Sequence, residues 1–148
     1  MYQIQKFPPS SELLLRFRGE VEKEWGEVDP FASKVAGLVL PEPLLAVNAG
    51  ELLGGVAFTT HAIPGRNETG VWLNVLWVAP GHRKRGIGSA LVLAAERQAR
   101  KKSLPDLYVY TDIPGLYEGL GWVPVKVEKE HFTVLRKTFL PESASGAQ

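Results

Sequence analysis

The apolar positions of this chain repeat in two periods, and the switches between them divide it into elements. Tyr2 to Phe7 reads as a short strand ended by Pro8-Pro9. Ser10 or Ser11 can then cap a helix running to about Trp25, with Leu13, Leu14, Phe17 and Val21 on one stripe. Asp29-Pro30 pairs an N-cap residue with proline at the first helical position, so a second short helix is expected there. From Leu44 the period becomes that of strands. Residues 43–48 and 51–60 flank Asn48-Ala49-Gly50, a hairpin signal, and Gly54-Gly55 predict a bulge or a close backbone approach. His61 to Gly70 reads as a loop. Val71 to Val78 is apolar at every position except Asn74, as in a strand covered on both faces.

A helix is expected over about Gly86 to Lys102, with Ile87, Leu91, Ala94 and Ala95 on one face. Arg97, Arg100, Lys101 and Lys102 crowd its far end, where cations suit the helix dipole. After Pro105-Asp106 come a strand, Leu107 to Thr111, and a short helix from Ile113 that Asp112 could cap. Two closing strands follow, Trp122 to Glu128 and His131 to Phe139. This order predicts an α+β fold with one central mixed sheet, a single domain over residues 1–140, and a polar tail over 141–148 too poor in apolar surface to order itself.

Composition narrows the function classes. The chain has 148 residues, 45% hydrophobic and 22% charged, which suits an ordinary globular domain. A net charge of +1 gives no electrostatic case for nucleic acid or an anionic membrane. No apolar run approaches the roughly 20 residues of a membrane helix, and Met1 to Lys6 does not open a signal peptide, so a cytoplasmic protein is expected. With no cysteine, disulfides, a cysteine nucleophile and thiolate zinc sites are excluded. Glu20, Glu22, Glu24, Glu27 and Asp29 concentrate negative charge early in the chain, either as a solvated helix face or as a rim that attracts a cationic amine.

The candidate chemistry lies at the turn after Val78. The apolar strand stops at Ala79-Pro80-Gly81, and Arg83-Lys84-Arg85-Gly86-Ile87-Gly88-Ser89 opens the next helix. A first helical turn has amides without intrahelical partners and a partial positive charge, and Gly86 and Gly88 let an anion approach them. A dinucleotide fingerprint would need glycine where Leu91 stands, and a P-loop would need Gly-Lys-Ser/Thr.

Strand, Val78-x-Pro80, Arg83-x-x-Gly86-x-Gly88 and amphipathic helix together resemble the acyl-coenzyme A signature of the GNAT acetyltransferase superfamily. Leu116-Tyr117-Glu118-Gly119-Leu120-Gly121-Trp122 is similar to a second family segment, aromatic-Tyr-Glu-x-x-Gly-aromatic. The resemblance implies a three-layer α/β/α fold with a mostly antiparallel sheet of about seven strands and about four helices. It implies acetyl-CoA as cosubstrate, no metal, and an amine acceptor, with a homodimer possible. Residues 83–89 (Arg83, Lys84, Arg85, Gly86, Ile87, Gly88, Ser89) would bind the diphosphate, and Leu76, Trp77 and Val78 would pair with the pantetheine arm as an added strand. Tyr117 would be the proton donor to the departing thiolate.

The sequence also departs from the pattern. Thr111-Asp112-Ile113-Pro114-Gly115 stands where many members carry an asparagine, and residues 71–78 contain no acid to serve as general base. His61, Glu68 and His131 are candidates for that role, beside a water relay or an amine that arrives deprotonated. Without cysteine, a route through an acyl-cysteine is impossible, so direct attack in a ternary complex is expected. The alternatives are a longer acyl group, a protein amine as acceptor, or a coenzyme A-binding module without turnover.

Overall fold

The structure, a computed structural model, describes residues 2–8, 10–25, 40–129 and 132–139. The short helix expected after Asp29-Pro30, the tail 141–148 and the residues Glu27, Asp29 and His131 lie outside them. In chain order the elements are β1 (Gln3–Gln5), α1 (Glu12–Trp25), β2 (Leu44–Asn48), β3 (Glu51–Ala62), β4 (Thr69–Val78), a 3-10 turn (Pro80–His82), α2 (Ile87–Lys101), β5 (Asp106–Thr111), α3 (Pro114–Glu118), β6 (Val123–Lys129) and β7 (Phe132–Thr138). The strands form one seven-stranded sheet in the order β1-β2-β3-β4-β5-β7-β6. Every pair is antiparallel except β4 with β5, so the sheet is mixed and mostly antiparallel, as expected.

The sheet separates two helical layers. On one face α1 lays Phe17 and Val21 against Leu45, Ala57, Val75 and Trp77. On the other, Ile87, Leu91, Val92 and Ala95 of α2 pack on Leu53, Leu73, Leu107 and Val109, with Tyr117 and Trp122 in the same core. Each fully buried side chain of this kind contributes about 1.5–3 kcal/mol from apolar burial. Helix α1 begins where the sequence placed it, with the Ser11 hydroxyl accepting from the Leu13 amide at 3.2 Å.

Both features expected of Gly54-Gly55 are present. Leu53 is the extra residue of a bulge, since Ala46 faces Gly54 but Val47 faces Leu52. A Cβ on Gly54 would lie 2.7 Å from the Trp77 carbonyl oxygen, and one on Gly55 would lie 2.6 Å from the Phe17 ring. Glycine is therefore what lets α1 and β4 come this close.

Three expectations change. The loop shortens, because β3 continues to Ala62 and β4 starts at Thr69. The first strand contracts to Gln3–Gln5, which pair with β2 at Val47, Ala46 and Leu45. The cap before α3 is not Asp112: the Thr111 hydroxyl accepts from the Ile113 amide at 3.0 Å.

Because the Phe17 ring occupies the space beside Gly55, Gly55→Ala is expected to lower the unfolding free energy by about 1–3 kcal/mol, the usual cost of overpacking. A denaturant titration followed by tryptophan fluorescence measures it, and an unchanged midpoint would refute this account of the α1 seat.

Candidate active site

Strand β4 carries a second bulge. Ala57 faces Val75, but Thr59 faces Trp72, so β4 has one residue too many between them. The side-chain alternation shifts by one there. Leu73 faces the α2 core, and so does Leu76, while Val75 and Trp77 between and beyond them face α1.

The backbone follows the same parity. The Ala79 amide donates to the Leu53 carbonyl at 2.8 Å, which makes that pair a hydrogen-bonded one. Antiparallel alternation then makes Trp77 with Gly55 and Val75 with Ala57 the next bonded pairs, and turns the amides and carbonyls of Leu76 and Val78 away from β3. They point toward β5. Yet β5 meets β4 in register only at Trp72 and Tyr108. Beyond that pair the two strands diverge, and the outward backbone groups of Leu76 and Val78 face a gap.

The start of α2 closes one end of the gap. Gly86 adopts φ +84°, a left-handed conformation natural to glycine, and nothing lies within 4 Å of where its Cβ would be. The first helical bond runs from the Ala90 amide to the Gly86 carbonyl at 3.0 Å. The amides of Ile87, Gly88 and Ser89 precede it and have no intrahelical acceptor. A Cβ on Gly88 would sit 3.8 Å from Val78 and 3.9 Å from Leu76, so these amides lie beside the open end of β4. Lys84 and Arg85 are exposed on the same turn, and Lys84 takes φ +63°. Open amides, added positive charge and an unfilled approach fit the diphosphate of a coenzyme.

Arg83 and Trp77 make contacts of another kind. The Arg83 guanidinium donates to the Val78 carbonyl at 2.7 Å and to the Glu24 carboxylate at 2.6 Å. It bridges the end of β4 to the end of α1. Trp77 bonds through its backbone to β3 and buries its side chain against α1, so it has nothing to offer the gap. Of the acidic rim, Glu20 pairs with Lys23, Glu22 with Arg18 and Glu24 with Arg83.

Tyr117 stands at the far side of the gap, 2% exposed. Burial pushes its phenol above the ordinary value of about 10, so the proton stays on oxygen across the neutral range. Its ring packs edge-on to Trp122 at 5.3 Å. Helix α3 ends in a Schellman motif that fixes the backbone here: the Trp122 amide reaches the Tyr117 carbonyl, the Gly121 amide reaches Glu118, both at 3.0 Å, and Gly121 has φ +93°.

The residues that hold this arrangement were not singled out from the sequence. Glu96, 3% exposed, accepts from the Trp122 indole at 3.0 Å. Lys137 lies 3.7 Å from the same carboxylate and donates to the Leu120 carbonyl at 2.7 Å. The signal was an acid four residues after Val92 and three before Ala99, on the apolar side of α2.

Two of the general-base candidates are far away. His61 ends β3 against Trp72, and Glu68 pairs with Arg66 in the loop before β4. Both sit at the opposite end of a ten-residue strand from Val78, about 30 Å along it. Among the described residues no cluster of His, Cys, Asp or Glu could hold a metal, and no helix is long and apolar enough to cross a membrane.

A sheet opened at its one parallel junction, with a free helix start on one side and a buried phenol on the other, defines a GNAT acyltransferase fold. The sequence model of the Acetyltransferase (GNAT) family matches residues 9–122, and the chain belongs to that family of acetyl-CoA-dependent N-acetyltransferases. Solved structures agree on the fold. A GNAT family acetyltransferase from Elizabethkingia anophelis with acetyl-CoA bound is 16% identical at TM-score 0.67, with 93% of this chain and 98% of that one covered. Arabidopsis thaliana Naa50 with the bisubstrate analogue CoA-Ac-MVNAL is 16% identical at 0.66, covering 93% and 99%. An aminoglycoside 6'-N-acetyltransferase complexed with coenzyme A is 20% identical at 0.69, covering 94% and 98%. No curated protein matches the sequence.

Removing the Glu96 carboxylate leaves a buried indole N–H without its acceptor and the Lys137 ammonium without its counter-charge. Glu96→Leu is expected to lower stability by about 1–3 kcal/mol, and Glu96→Gln, which can still accept from the indole, by less. Equilibrium unfolding of the two variants checks the order.

Proposed function

We propose that this protein moves an acetyl group from acetyl-CoA to a primary amine by direct attack in a ternary complex. The amides of Ile87, Gly88 and Ser89 receive the diphosphate, Lys84 and Arg85 add charge, and Gly86 keeps the approach open. Leu76 and Val78 pair through their outward backbone groups with the amides of the pantetheine arm, as a strand added to a sheet edge does. The Val78 amide then lies where it can polarise the thioester carbonyl. Arg83 contributes by holding the Val78 carbonyl and α1 in place.

The attacking amine forms a C–N bond as the C–S bond breaks, and the electron pair leaves on sulfur. Tyr117 offers its phenolic hydrogen to that sulfur. Because burial makes the phenol a weaker acid, its part is a hydrogen bond to the developing thiolate; the balancing proton comes from the ammonium formed on attack. The observation that carries this reading is the set of backbone groups on Leu76 and Val78 facing the gap, between the α2 start and Tyr117.

We read residues 1–140 as one catalytic domain acting on acetyl-CoA and an amine, without nucleic acid or membrane. A cytoplasmic setting is supported by the cysteine-free sequence. In a homodimer, the edge strand β6 would bring exposed Val123 and Val125 to the interface.

Tyr117→Phe is expected to lower kcat by roughly 10²- to 10³-fold with little change in the KM for acetyl-CoA. A phenol with a raised pKa keeps its proton below that pKa and loses it above. The wild-type rate should therefore show no descending limb from this residue up to about pH 10. Full activity in the variant, or no calorimetric binding of coenzyme A, would overturn the proposal.

A further inference from the structure

We infer that the acceptor is a small primary amine carried on a flat hydrophobic group, seated among Trp25, Tyr110 and Phe132 with its nitrogen turned toward Asp112. This rests on the acetyl transfer proposed above and names the substrate class for the same site.

A cavity of about 200 Å³ runs through the gap between β4 and β5. At one end lie Tyr117 and Leu76, on the α2 side of the sheet; at the other lie Trp25, Tyr110 and Phe132. Tyr110 and Phe132 stack at 4.7 Å with their planes 14° apart, which makes that end a flat aromatic wall. Trp25 is 50% exposed and Ile113, also on the wall, is 53% exposed. Large apolar side chains gathered in water around one opening mark a ligand surface.

Size and charge narrow the occupant. An apolar cavity of about 150 Å³ holds benzene, so this volume takes one ring and a short arm. Among the described residues Asp112 is the one charged residue on the wall, and its carboxylate has no partner among them. One carboxylate suits one ammonium, and the aromatic faces add attraction for a cation. An acceptor bearing several ammonium groups would find no second carboxylate among the described residues of the wall, and Glu20, Glu22 and Glu24 of α1 are already paired with Lys23, Arg18 and Arg83. A free amino acid would find no cation for its carboxylate among the described residues of this wall.

The test measures thiol release from acetyl-CoA with 2-phenylethylamine, n-butylamine, spermidine and an aminoglycoside. The expected kcat/KM is highest for 2-phenylethylamine, by about tenfold or more, the scale on which apolar pockets discriminate. Trp25→Ala and Phe132→Ala should each raise its KM about tenfold while leaving the KM for acetyl-CoA within about twofold. A preference for spermidine or the aminoglycoside, or an unchanged KM in Trp25→Ala, overturns this inference and leaves acetyl transfer standing. If no amine releases thiol, acetyl transfer fails instead, and calorimetric titration of 2-phenylethylamine into coenzyme A-saturated protein decides the subsite. Saturable heat weakened by Trp25→Ala upholds it, and no heat overturns it.

Discussion

The site exists because two neighbouring strands stop pairing. After Trp72 and Tyr108 the parallel ladder between β4 and β5 ends, and the amides and carbonyls of Leu76 and Val78 still point across the gap. Backbone polar groups need partners, and a pair of strands that withholds them leaves room for another extended molecule to supply them. The Arg83 guanidinium already takes the Val78 carbonyl, so the protein satisfies one of these groups itself and leaves the others open.

Two supports keep the gap from closing, and they differ in physical kind. On the α2 side the Glu96, Trp122 and Lys137 cluster is largely buried and ties three elements together around the end of α3. Interactions of that sort are weakly screened by salt. On the α1 side the Arg83 to Glu24 pair has both side chains about two-fifths exposed, 45% and 40%, so screening reaches it. Salt therefore leaves the α2 side largely untouched and weakens the α1 side.

How much of this could be read from the sequence follows from how local each signal is. The period of β4, the glycine turn, the tyrosine segment and the serine cap are each written within a few residues, and the elements formed where they were expected. What escaped depends on partners distant in the chain. Arg83 reads as a cation for a phosphate until Glu24, 59 residues away, is found beside it. Glu96 looks like an ordinary helix acid until the Trp122 indole appears above it. Whether a strand residue such as Trp77 faces its neighbour or the gap depends on a register that an apolar run does not encode.

The extra residue near Leu73 in β4 sets that register, and it constrains how the gene can vary. Losing a single codon there would force one half of the strand to slide by one place. Val75 and Trp77 would then trade faces with Leu76 and Val78, and the peptide groups now aimed at the gap would turn into the ladder with β3. Point substitutions can accumulate along this strand, but a one-residue gap cannot be absorbed, so lineages that keep the activity should keep the length of the segment between Thr69 and the glycine turn.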